Sequence, residues 1–373
     1  MDERTLYKYL ESISGADHVV ADKAAKRMNQ LAKPPGSLGK LEKIAVKFAG
    51  ITGDIKNYIK KKAVIIMCAD NGVYDEGISS TPQSVTMVQT MNFTRRITGV
   101  GALAKTNDTD LCVIDVGIKG NLPKNLISDE MQMFLDDRVI DRKIRKGTFN
   151  IAKGPAMTRE EAIEAIGVGI EAVRMMKARD YQIIGVGEMG IGNTTTSAAV
   201  LSGLTGMSAE ETTGRGAGLT DDAFEKKKMI VEKAAENARK SAKDVIDVLA
   251  MAGGFDKCAM TGVFLGAAGN RMPVVIDGYI SSVAALAAAE LVPYAKDYMF
   301  TSHASEEKGF KKAVERLGLE PMLDLNMRLG EGSGCVPAFD IIKGALGVMD
   351  FMGTYEEAKI AENYLELVKD VRF

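Results

Sequence analysis

Glu331 stands alone between Gly330 and Gly332, with Gly334 just beyond and Arg328 three residues before it. Glycines at this density let the main chain take positive φ and let a ligand approach the backbone closely. The segment leading in, residues 322–329, is rich in Leu and Met. Such a setting takes a carboxylate out of water, which suits a general base. The plainer alternative is a structural acid capping a helix that starts near Ser333. Arg328, in an otherwise apolar approach, suits a phosphate or carboxylate partner.

A second stretch, residues 187–196, follows the apolar run 182–186 and reads Gly-Glu-Met-Gly-Ile-Gly-Asn-Thr-Thr-Thr. Strand, glycine-rich turn and helix start in this order make a phosphate site from free N–H groups, the positive end of a helix dipole and hydroxyl donors. The spacing fits neither a Walker A loop nor GxGxxG. A tight turn with a threonine cap is the alternative. Glu188, at the end of the strand, faces either solvent or the ligand. Lys227 lies in the run Glu225-Lys-Lys-Lys228, which by itself reads as a solvated helix face. His303 follows a short strand beside Ser302 and Ser305. No GxSxG elbow accompanies it, so nucleophilic hydrolysis is disfavoured. The two histidines are not at ligand spacing, and Cys68, Cys112, Cys258 and Cys335 form no CxxC pair, so no metal is expected.

Positioning these groups requires a large fold. The chain has 373 residues, is 46% apolar and carries a formal charge of −2, which gives no reason to expect nucleic acid or an anionic membrane as partner. The charged N-terminus lacks the apolar region of a signal peptide, no run is fit to span a bilayer, and a cytoplasmic location is expected. Apolar runs at 63–69, 110–116, 182–186, 273–277 and 298–302 read as buried strands. Helices are expected at 1–32, 40–52, 84–105, from 158 with a Thr158/Glu161 capping box, from 193, at 221–250, 254–269, 279–291, 337–351 and 355–369. Strands separated by helices indicate an α/β fold with a doubly wound, mainly parallel, Rossmann-like sheet in three layers, whose ligands sit at the carboxyl ends of the strands. Residues 56–352 would form this catalytic domain. Residues 1–55 and 353–373 would form a smaller helical subdomain.

These motifs together resemble the nicotinate-nucleotide–dimethylbenzimidazole phosphoribosyltransferase family, which activates the lower base of cobalamin. The resemblance runs from about Lys33 to Met352. It is carried by Lys33-Pro-Pro-Gly-Ser-Leu-Gly, by Ala69-Asp-Asn-Gly-Val73 with Gly77-Ile-Ser79 and Pro82-Gln83, and by Gly187 to Thr195. Gly216 to Leu219, Asp277-Gly278, Ser302-His303 and Arg328 to Gly334 complete it. The resemblance implies transfer of 5-phosphoribose from nicotinate mononucleotide to a benzimidazole nitrogen with inversion at C1′, and no cofactor or metal. It implies Glu331 as general base and Glu188 as a second catalytic carboxylate. Substrate-binding positions would be Ser79, Gln83, Gln89, Gly190, Ile191, Asn193, Thr194, Lys227, Ser305, Arg328, Leu329 and Gly330. It also implies a parallel-sheet fold with a helical subdomain and a homodimer. The chain departs from the family pattern at Val88, where a Gln is common; Gln89 is displaced by one residue.

Two other readings use the same features. A nucleotide N-glycosidase or phosphorylase-like enzyme would release ribose phosphate without an acceptor base. A binding subunit of a heteromeric homologue would do no chemistry, although an intact Glu331 argues against it.

Overall fold

The computed structural model describes residues 1–129, 138–216 and 218–360. Among these, eight strands form one sheet: β1 Lys62–Ala69, β2 Asp110–Gly117, β3 Ile127–Ser128, β4 Val139–Asp141, β5 Ile183–Met189, β6 Val274–Ile276, β7 Met299–His303 and β8 Pro321–Leu323. Their order is β3-β4-β2-β1-β5-β6-β7-β8, and every pairing is parallel. β1 is buried along its whole length, as a continuous apolar run between two helical layers must be. The chain winds one way from β1 to β2 and the other way from β1 to β5. Loops at the carboxyl ends of β1 and β5 therefore part and leave room for a ligand.

All five expected strands are present, and the α/β class with a parallel sheet is borne out. β5 runs on to Met189, which puts Glu188 inside the strand. β3, β4 and β8 were not anticipated. They are two or three residues long, too short for any periodicity to mark them.

Several helices match their expected bounds, including Lys40–Thr52, Arg159–Ala178 with the Thr158/Glu161 capping box, and Tyr279–Leu291. Two others break. The helix expected at 84–105 divides into Val85–Thr94 and Gly99–Thr106, because Arg96 turns to φ 53° and Thr98 caps a new start. The one expected at 221–250 divides into Asp221–Ser241 and Val245–Ala252. Asp244 accepts from the Asp247 N–H and begins the second piece. Near the C-terminus, residues 355–359 form turns rather than helix, and 361–369 lie outside the described residues.

Helices Arg159–Ala178 and Phe255–Gly269 pack at backbone contact. A Cβ on Gly169 would lie 2.0 Å from Ala259 O, and one on Gly262 would lie 2.0 Å from Ile166 O. At the start of Phe255–Gly269, Lys257 Nζ reaches Asn193 O at 3.5 Å, at the end of the glycine-rich loop after β5. The chain ends meet elsewhere: Leu31 and Thr354 form an antiparallel bridge, and Arg27 donates to Met349 O over 3.2 Å. No helix among the described residues is long and apolar enough to cross a membrane.

Candidate active site

At the carboxyl ends of β5, β6 and β7 opens a cleft of about 410 Å³. Glu331 and Glu188 line it, with Ser79, Gln89, Gly190, Ile191, Asn193 and Thr194. Lys227, Ser305, Arg328, Leu329 and Gly330 line it too, Lys227 directly against Thr194. Gln83 is not among them. It lines a separate cleft beside Lys119, whose Nζ donates to its Oε1 over 3.3 Å.

Glu331 is 6% exposed and has φ 65°, between Gly330 at 86° and Gly332 at 83°. Three successive left-handed residues make an unusual turn, and the one with a side chain costs roughly 1–2 kcal/mol. Close packing leaves the flanks no choice but glycine. A Cβ on Gly330 would meet Glu188 Oε1 at 2.7 Å, and one on Gly332 would meet Val64 Cγ1 at 2.4 Å. The carboxylate itself has two donors. Gln89 Nε2 donates to Oε1 over 2.7 Å, and the Val100 N–H donates to Oε2 over 3.3 Å. Val100 lies in the first turn of Gly99–Thr106, so the positive end of that helix also faces the carboxylate. Gln89 thus reaches the site from the displaced position, while Val88 points outward at 44% exposure.

Glu188 is also 6% exposed. Burial, with the charges of Asp256 and Asp277 adding to it and that of Lys257 opposing, pushes its carboxyl up to about 8. Asn193 Nδ2 donates to its Oε2, and the Glu331 N–H approaches its Oε1 at 3.5 Å. Beneath it lies a wholly buried ion pair, Lys257 Nζ to Asp256 Oδ2 at 2.9 Å. An acid this far from water, beside other acids, is poised for a cationic ligand that restores its charge.

The loop after β5 is shaped by close approach. A Cβ on Gly190 would fall 2.1 Å from Ala69 O, and Gly192 takes φ 92° before helix Asn193–Thr205 begins. The Ile191 N–H donates to Thr86 Oγ1 over 3.1 Å. Of the three threonines read as ligand donors, only Thr194 lines the cleft. Successive helical residues point about 100° apart, so Thr195 and Thr196 turn inward and are fully buried. Thr196 Oγ1 donates to Asn71 Oδ1 over 3.1 Å.

Lys227 is not on a solvated face. It is 1% exposed, and its Nζ donates to Thr194 Oγ1 over 3.0 Å and to Gly214 O over 2.9 Å. Burial pushes its ammonium down to about 8, with Glu307 opposing. Arg328 stands exposed on the rim of the cleft near Glu307, whose carboxyl burial raises. Lys227, Thr194 and Arg328 make one end of the cleft an anion receiver, while Glu188 and Glu331 make the middle acidic.

His303 closes β7, with Nδ1 3.0 Å from Ser302 Oγ and 4.0 Å from Asp277 Oδ1. Burial holds its imidazole below the usual value. The four cysteines are buried free thiols. Groups to which the sequence gave no role also reach the site, among them Asp277, the Val100 N–H and Glu307, with the Asp256–Lys257 pair beneath Glu188. Only the Thr98 cap signal could have flagged the Val100 N–H.

A cleft with a cationic end and an acidic middle, at the switch point of a parallel sheet, suits a phosphorylated sugar carrying positive charge. The chain belongs to a phosphoribosyltransferase family, whose sequence model matches residues 13–360. It is an enzyme of the pentosyltransferase type. Its relatives give the particular family, that of the nicotinate-nucleotide–dimethylbenzimidazole phosphoribosyltransferases. One from Clostridium perfringens (strain 13 / Type A) is 54% identical over 365 residues, covering 98% of each chain. Another from Acetivibrio thermocellus is 49% identical over 357 residues, covering 96% of this chain and 98% of that one. The crystal structure of CobT from Thermus thermophilus superposes with a TM-score of 0.86 at 36% identity, over 92% of this chain and 99% of that one.

Proposed function

We propose that this enzyme transfers 5-phosphoribose from nicotinate mononucleotide to 5,6-dimethylbenzimidazole or a related lower-ligand base, giving α-ribazole 5′-phosphate and nicotinate. The observation that carries this is a buried carboxylate, Glu331, held in one cleft with a second acid, Glu188, and an anion-receiving end at Lys227 and Arg328.

The phosphate docks on Lys227, Thr194 and the loop around Gly190 and Ile191, with Arg328 and Ser305 above it. The C1′–N bond of the nucleotide breaks, its electron pair goes to the pyridinium nitrogen, and nicotinate leaves with a neutral ring. Positive charge passes to the ribosyl C1′, where Glu188 as a carboxylate stabilises it. The acceptor nitrogen attacks the opposite face, so C1′ inverts. The acceptor's other N–H gives its proton to Glu331. Holding the partners in line is worth on the order of 7–11 kcal/mol, which is the work of Ser79, Gln89, Leu329 and Gly330 around the acceptor.

The test is product analysis by mass. Nicotinate release is expected only when an acceptor base is supplied, together with the α-glycosidic nucleotide. Base-independent release would instead mark a hydrolase or phosphorylase.

From family membership we also propose a homodimer in the cytoplasm, the former checked by light scattering of the eluted protein. We further propose a smaller subdomain formed by residues 1–55 and 353–373; the bridge between Leu31 and Thr354 supports the meeting of the two segments.

A further inference from the structure

We propose that Asp277 is a positioning residue for Glu331, clamping through the backbone the left-handed turn that aims the base; this rests on reading Glu331 as the general base. Asp277 follows β6, a strand paired on both sides in the sheet. Its Oδ2 accepts from the Gly332 N–H over 3.1 Å and its Oδ1 from the Gly334 N–H over 2.7 Å. One carboxylate thus grips the turn on the residue after Glu331 and again two residues later, where helix Cys335–Phe351 starts. Those N–H groups belong to a helix start and have no partner within the helix.

Within the turn the Ser333 N–H donates to Gly330 O over 3.0 Å, which closes the turn but does not tie it to the sheet. Glycines at 330 and 332 permit the conformation but equally permit others. The two bonds from Asp277 select it, and they start from the rigid centre of the sheet. The packing agrees. A Cβ on Gly334 would fall 2.1 Å from His303 Nδ1 and 2.8 Å from Asp277 Oδ1. Asp277 is 3% exposed, and both its oxygens are engaged with this turn. Gln89 and the Val100 N–H fix the far end of the Glu331 side chain; Asp277 fixes its root.

A Cα that wanders by an ångström misplaces the base, and such an error costs about 100-fold in rate. The experiment is a cycle of Asp277→Asn, Glu331→Gln and the double variant, assayed for α-ribazole 5′-phosphate formation. In D277N an amide N–H replaces one acceptor and opposes a backbone donor. Its kcat is expected to fall about 10–100-fold, with KM for nicotinate mononucleotide within about threefold of the parent. The double variant should be no slower than E331Q alone, because Asp277 acts through Glu331. Asp277→Ser provides a smaller second variant with the same expectation. Multiplying losses in the double variant would overturn the proposal, as would a raised KM with kcat intact, which would make Asp277 a substrate contact. So would variants that no longer bind nicotinate mononucleotide, since Asp277 would then serve folding. An E331Q enzyme of near-parent rate would instead remove the general-base reading itself.

Discussion

Gln89 Nε2 lies 2.7 Å from Glu331 Oε1, a hydrogen bond between a helix that follows β1 and a turn that follows β8. It ties the two walls of the cleft together at the carboxylate. Asn92 Nδ2 in turn donates to Gln89 Oε1 over 3.2 Å, which fixes the amide so that its N–H₂ faces the acid.

Gln89→Leu keeps the bulk and removes the donor. A hydrogen bond to a charged group is worth about 1.5–3 kcal/mol, so kcat should fall roughly 10–100-fold. KM for nicotinate mononucleotide should stay close to that of the parent, because Gln89 bonds Glu331 and not Lys227 or Thr194, the proposed phosphate contacts. A large KM effect with unchanged kcat would assign Gln89 to substrate binding alone.

Lys227→Met tests the anion end. The buried ammonium holds Thr194 and Gly214 in the free enzyme and is expected to meet the substrate phosphate. Loss of a charge-assisted bond should raise KM for nicotinate mononucleotide about 10–100-fold. The nucleoside lacking the phosphate should be used equally by both enzymes. Equal losses with both substrates would mean that Lys227 only supports the loop.

In the proposed mechanism Glu188 must be ionised to offset the positive charge at C1′. Its carboxyl is pushed up to about 8 by burial and neighbouring acids. In the free enzyme, kcat/KM for nicotinate mononucleotide should therefore rise as pH approaches about 8, and fall above it as Lys227, pushed down to about 8, loses the charge that meets the phosphate. Glu188→Gln should lower the maximum and remove the rising limb. A rising limb that survives in the variant would belong to another group.

Stability should run the opposite way. Burial raises Asp115 to about 6, Asp277 to about 7 and Glu188 to about 8. In the unfolded chain such groups titrate near pH 4. Between these limits the native state holds more protons than the unfolded one, so stability falls as pH rises. Asp244, held well below the usual carboxylate value by Arg159, works the other way but is spent at lower pH, and His303, whose imidazole burial holds low, opposes the fall only up to its unfolded value near 6.5, one group against three acids. Lys227 and Lys47, each pushed down to about 8, reverse the slope only above that pH. The melting temperature of the ligand-free protein should thus decline between about pH 5 and 7.5, and Glu188→Gln should flatten the decline. A rising melting temperature over that range would contradict the burial assigned to these acids.

The large elements were legible because their signals are long. β1, β2 and β5 are seven or eight residues of nearly unbroken burial, and the capping box at Thr158 marks its helix by itself. Shorter features were opaque for physical reasons. β8 is three half-buried residues, and the break at Arg96 depends on a single positive φ. Lys227 looked solvated because three adjacent lysines span most of a helix's circumference, and only the fold decides which one turns inward. The glycine pattern around Glu331 pointed to the base. Its partners Val100 and Asp277 lie far away in sequence and meet it only once the sheet has formed.

The most direct measurement is the steady-state rate of α-ribazole 5′-phosphate formation from nicotinate mononucleotide and 5,6-dimethylbenzimidazole by Glu331→Gln beside the parent enzyme. The substitution keeps the shape and the Gln89 contact but cannot take the acceptor's proton. General-base catalysis by Glu331 predicts a loss of roughly 10²–10⁴-fold with nicotinate mononucleotide binding retained. A variant that turns over at a rate near the parent's would contradict it.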